Sequence, residues 1–157
     1  MATVEVTFTP LPVHVRTARL VATAVARRSG VAESLLDEVR LAVGEACSRA
    51  VEAHLLHCPG QPIRVELTDD GEQFEVVVID AVPEAADGAA AADRNGGASR
   101  DASAGLGGSF AVLSGEVPLR LPDGVGLAVI AGLADDVRIA SAGAGTSVTM
   151  SWKRRAG

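Results

Sequence analysis

Apolar and polar positions alternate along residues 3–8, TVEVTF, and the β-branched residues there predict a strand. Pro10 and Pro12 break that pattern. From Val13 to Arg28 the spacing changes: Val15, Ala18, Val21, Ala22 and Val25 recur at helical intervals. Arg27 and Arg28 fall in the last turn, where cations suit the helix dipole, and Gly30 is a natural stop. A second helix is predicted over about 32–56. Its broad apolar stripe comprises Leu35, Leu36, Val39, Ala42, Val43, Ala46, Ala50 and Val51. The turn CPGQP (58–62) follows it.

Two strands come next. IRVELT (63–68) alternates, so one of its faces is wet; FEVVVIDA (74–81) is a more continuous apolar run and a more buried strand. The turn between them, DDGEQ, contains Gly71. Residues 83–109 change character to Ala, Gly, Asp and Ser, with almost nothing to bury, and read as a long loop within the domain. Residues 110–122 fit a short helix, a strand or a loop equally. GVGLAVIAGLADDV (124–137) opens on a glycine pair and continues as an apolar helix. VRIAS (137–141) and SVTMSW (147–152) close the chain as a hairpin around AGAGT (142–146). The order β, α, α, β, β, loop, α, β, β predicts an α/β (α+β) two-layer sandwich, with helices on one face of a mixed or antiparallel sheet.

Composition narrows the function. The 157 residues fit a single domain with its own core. A formal charge of −6 argues against wrapping nucleic-acid phosphates, and 3% aromatic content removes base-stacking platforms. Cys47 and Cys58 make no disulfide framework. The first ten residues lack the pattern of a signal peptide, and the longest apolar run, 125–134, is too short to span a bilayer. The expectation is a cytoplasmic protein with reduced thiols, without direct contact to nucleic acid or membrane.

Several side chains have chemical potential. Glu45 lies on a narrow polar stripe of the second helix with Glu38, Arg49 and Glu52; with Arg49 it is also an ordinary i,i+4 ion pair. Asp80 ends a buried strand, where a carboxylate is costly without a partner, although Asp also begins turns. Gly124 and Gly126 open a helix whose bare N–H groups suit a phosphate, but glycines are common at such junctions. Thr146 begins the last strand. His54, His57 and Cys58 cluster at the end of the second helix; no fourth ligand is evident, so no metal site is assigned and the cluster reads as a polar helix end.

In order and spacing these segments resemble a known family. LAVGEACSRAVEAH (41–54) resembles the N-box helix of the GHKL, or histidine-kinase-like, ATPase fold, VVVIDAVP (76–83) its G1 box, and GVGLAVIAGLADDVRIASAGAGTSVTMSW (124–152) its G2 box, helix and closing hairpin. The short form is similar to bacterial anti-sigma factors that are serine kinases, and the Ala- and Arg-rich style is that of GC-rich bacteria such as actinomycetes. The resemblance implies that Glu45 is the general base, Asp80 the acceptor of the adenine amino group, and Gly124 and Gly126 the glycines that approach ATP or ADP phosphates. It places Thr146 beside the adenine site and makes 83–123 an ATP lid. It implies as partners an alternative sigma factor, sequestered by a homodimer, and a STAS-type antagonist that releases it or is phosphorylated.

The chain departs from the family pattern at two points. Where the N-box carries a Mg²⁺-ligating Asn, this sequence has Arg49, and a guanidinium has no lone pair to offer a cation. Ala81, Val82, Pro83 and Glu84 follow Asp80 where the G1 box has glycines. Arg49 then either binds phosphate directly or pairs with Glu45 and closes the site; the missing glycines favour closure. The expectation is an anti-sigma factor with a degenerate nucleotide site. The alternative is an active ATP-dependent serine kinase.

Overall fold

The computed structural model describes residues 1–82, 125–142 and 145–154. In chain order these form β1 (Ala2–Phe8), α1 (Pro12–Arg28), a 3-10 turn (Glu33–Leu35), α2 (Leu36–His57), β2 (Ile63–Asp69), β3 (Gln73–Ile79), α3 (Val125–Leu133), β4 (Asp136–Ala142) and β5 (Gly145–Lys153). The expected lid, 83–123, lies outside the described residues, as does Gly124.

Each element follows from local chemistry. Pro12 sits in the first turn of α1, where its missing N–H is no loss, and Arg27 and Arg28 occupy the last turn. Asp37 and Glu38 stand at the start of α2, facing its positive end. In the β2–β3 turn the Asp70 carboxylate accepts from the Glu72 and Gln73 N–H groups at 2.9 and 2.8 Å. These bonds to the charged form hold its carboxyl below the usual range.

The sheet order is β1-β2-β3-β5-β4, and every pairing among the described strands is antiparallel. The sequence reading left mixed and antiparallel sheets open; the described strands take the second. Ile63, Val65 and Leu67 share the buried face with Phe74, Val76, Val78, Val148, Met150 and Trp152. Against them pack Val15, Ala18, Ala22 and Ala26 of α1 and the stripe from Val39 to Val51 of α2. With so few aromatics, the core relies on β-branched and small side chains. Its largest exception is Trp152, whose ring neighbours Phe74 with centroids 6.2 Å apart and whose Nε1–H donates to the Leu133 carbonyl at 2.9 Å. That bond ties the end of α3 to the sheet. No helix among the described residues is long and apolar enough to cross a membrane.

Cys47 lies fully within this core, and burial pushes its thiol up to about 12. Cys58 is half-buried, and its thiol is raised by burial and by the nearby Asp80 charge. At pH 8 a thiol reagent will label Cys58 slowly and Cys47 only after unfolding in denaturant. Labelling of Cys47 in the native protein would contradict the packing of α2.

Candidate nucleotide site

Asp80 follows the last residue of β3 and is almost fully buried, at 6% exposure. Backbone and side chain both fasten it to β5. Its N–H donates to the Thr146 carbonyl at 2.9 Å, and its Oδ1 accepts the Thr146 N–H at 3.1 Å. The same Oδ1 accepts the Val82 N–H at 3.0 Å, which turns the chain sharply after the strand. Gly145 makes this closeness possible. A Cβ there would overlap the Asp80 carbonyl oxygen, and its φ of 156° disfavours other residues. Thr146 is buried beside Asp80, and its Oγ1 lies 3.4 Å from the Ser141 hydroxyl.

The second Asp80 oxygen faces α2. Arg49 Nη1 stands 3.7 Å from Asp80 Oδ2, an ion-pair distance, with the Asp80 side chain 4% and the Arg49 side chain 24% exposed. This pairing was not foreseen from the sequence, where Glu45, one turn away on the same helix, was the favoured partner. The 31 positions separating Arg49 from Asp80 vanish only when β3 packs against α2.

His54 is the functional-site residue that sequence reasoning misjudged. It is completely buried, and both ring nitrogens bind backbone. Nδ1 lies 2.9 Å from the Gln61 carbonyl, and Nε2 accepts the Ala81 N–H at 2.9 Å. A carbonyl only accepts, so the ring carries its proton on Nδ1. His54 thereby clips the end of α2 to the following turn and to the residue after Asp80. With both nitrogens engaged it has no lone pair free for a metal. The signal lay in the spacing: 47, 50 and 54 continue the apolar stripe, which places this histidine inside.

Glu45 lies on α2, half-buried. Burial raises its pKa; the nearby Arg19 cation opposes this, and Glu52 adds to it. Arg19 reaches α2 across Gly44, where a Cβ would collide with the guanidinium. Gly126 lies in the first turn of α3, which packs on α2. The described site therefore brings Asp80, Thr146 and Arg49 together and places Glu45 one helical turn before Arg49. Arg49 stands where the resemblance expects a cation ligand, and the Asp80 carboxylate accepts two backbone N–H groups and faces the Arg49 guanidinium.

Two outcomes test this geometry. His54→Ala will destabilise the protein by about 2–4 kcal/mol in denaturant unfolding, because it leaves a cavity and two unpaired backbone groups. A loss below about 0.5 kcal/mol would refute the clip. For Glu45, a folded pKa above the unfolded one means that ionisation opposes folding. Its contribution worsens as pH rises through the window above the unfolded value of 4.5 and is absent below it. Glu45→Gln will therefore raise the melting temperature at pH 7 and leave it unchanged near pH 4. Equal effects at both pH values would contradict the assignment.

In comparisons with known proteins, the family described as "Histidine kinase-like ATPase domain" matches residues 8–152. Among solved structures, the chain is similar to the crystal structure of the RsbU and RsbW domains of Rv1364c from Mycobacterium tuberculosis. The TM-score is 0.63 at 17% identity, covering 98% of this chain and 33% of that one. The chain thus spans about a third of the length of that protein, and the likeness is one of fold. No curated protein matches the chain.

Proposed function

The chain belongs to the histidine kinase-like ATPase family, and on that premise we propose that it is an anti-sigma factor with a degenerate nucleotide site. In this reading a homodimer binds and sequesters an alternative sigma factor. A STAS-type antagonist releases the sigma factor by competing for the same protein. Control rests on protein–protein competition rather than on phosphate transfer.

The observation that carries the reading is the Arg49–Asp80 ion pair. Phosphoryl transfer depends on positioning and on a metal that neutralises phosphate charge. Arg49 would repel the metal, and through Asp80 it occupies the group that would recognise adenine. The residues after Asp80 point the same way. Val82 is buried, and the Val82 N–H bonds to Asp80 rather than facing an open cleft. A fold that keeps its helices, sheet and closing hairpin keeps the outer surfaces on which partners would dock.

A second reading, an active ATP-dependent serine kinase acting on the STAS-type antagonist, draws on Glu45. A half-buried carboxylate with a raised pKa suits a general base toward a serine hydroxyl.

Calorimetric titration with ATP and with ADP, each with and without Mg²⁺, separates the two. The degenerate-site reading predicts no saturable heat up to about 1 mM nucleotide, an affinity of only about −4 kcal/mol. It also predicts copurification of a sigma factor. Mg²⁺-dependent binding, followed by phosphate transfer to a STAS-domain serine, would establish the kinase. Recovery of activity by Arg49→Asn alone would show that the rest of the pocket is intact and would count against the proposal.

A further inference from the structure

The outer face of α1 has a composition unlike the rest of the chain. The helix carries four arginines and no acidic residue, in a protein whose net charge is −6. Its inward face is Val15, Ala18, Ala22 and Ala26, which join the core. The opposite stripe is Val13, Arg16, Leu20, Ala24 and Arg28, all exposed. Val13 is 67% and Leu20 60% exposed, and Leu11 just before the helix is 44% exposed. Single exposed apolar residues are ordinary. Here they share one stripe with cations: Val13 and Leu20 lie one heptad apart, about 10 Å along the axis. Arg27, on the flank, pairs with Glu33 at 3.3 Å. Arg16 and Arg28 form no ion pair with another described residue.

We infer that this stripe of α1 docks an acidic amphipathic helix of a partner protein, which seats apolar residues on Val13 and Leu20 and sets carboxylates against Arg16 and Arg28. The inference deepens the proposed function by naming the chemistry of the partner surface, and it rests on that reading only in taking the chain as a protein-binding module. Charge complementarity chooses the occupant. Arg27 is engaged by Glu33 and Arg19 reaches α2 beside Glu45, but Arg16 and Arg28, with no counter-charge among the described residues, attract an acidic surface and disfavour a basic one. Val13 and Leu20 supply the apolar contact, and the small Ala24 lets a second helix approach closely. The net negative charge of the whole chain opposes adsorption to an anionic membrane.

The test uses the full chain and a synthetic alanine-based helix with Leu once per heptad flanked by Glu, together with a counterpart bearing Lys in place of Glu. Fluorescence anisotropy will show saturable binding of the Glu peptide and none of the Lys peptide. Arg16→Glu and Leu20→Ser will each weaken the Glu peptide about tenfold. Both side chains are exposed, so thermal unfolding of the variants will match the parent. Absence of binding, equal binding of both peptides, or indifference to both substitutions would overturn the inference. Capture by phosphatidylglycerol vesicles with the same residue dependence would assign the face to a membrane and equally overturn it. A sigma factor that binds the Leu20→Ser protein as tightly as the parent would remove this face from sequestration while leaving sequestration standing. A parent protein that binds the Glu peptide but no sigma factor would sink the sequestration reading and spare this one.

Discussion

A carboxylate buried between a sheet and a helix must be satisfied from several directions, and Asp80 is. Two backbone N–H groups converge on one oxygen, and Arg49 faces the other. The constraint fixes more than one side chain. It sets the exit of β3 and the start of β5, and it requires glycine at 145. His54 reinforces the arrangement from below by holding the next backbone N–H. An unpaired buried carboxylate would cost several kcal/mol, so Arg49 and Asp80 depend on each other.

That mutual dependence links the fold to the functional reading. In an open nucleotide site the Asp80 carboxylate would look into a cleft and exchange its partner with an incoming base. Here its partners come from the chain itself. The stability of the fold lies elsewhere, in the Val- and Ala-rich seam between α1, α2 and the sheet. In the proposed reading, nucleotide chemistry and partner binding use different parts of the molecule, so one fades while the other remains.

Much of the fold was legible in the sequence because its signals are local. Alternation marked β1 and β2, a continuous apolar run marked β3, the Gly-rich turn marked the closing hairpin, and the stripes from Val15 to Val25 and from Leu35 to Val51 marked α1 and α2. The juxtaposition of Asp80 with Thr146 followed only from the family resemblance, since nothing local connects residues 66 positions apart. Arg49 shows the limit most clearly. Sequence spacing offers Glu45 as its neighbour at i,i+4, whereas its pairing with Asp80 exists only through tertiary packing. His54 was hidden for the opposite reason: a polar residue on an apolar stripe was read by its chemistry instead of its position. The sequence 83–123 has neither periodicity nor turn chemistry strong enough to define elements, and it lies outside the described residues.

The central claim is that Arg49 and Asp80 act as one unit within the folded protein. A double-mutant cycle in denaturant unfolding, using Arg49→Met, Asp80→Asn and the pair, measures it directly. The account predicts a coupling of about 1–2 kcal/mol, with the double variant more stable than the sum of the single losses implies. Additivity within about 0.3 kcal/mol would mean that the two charges do not stabilise each other, and the closed-site account would fail with them.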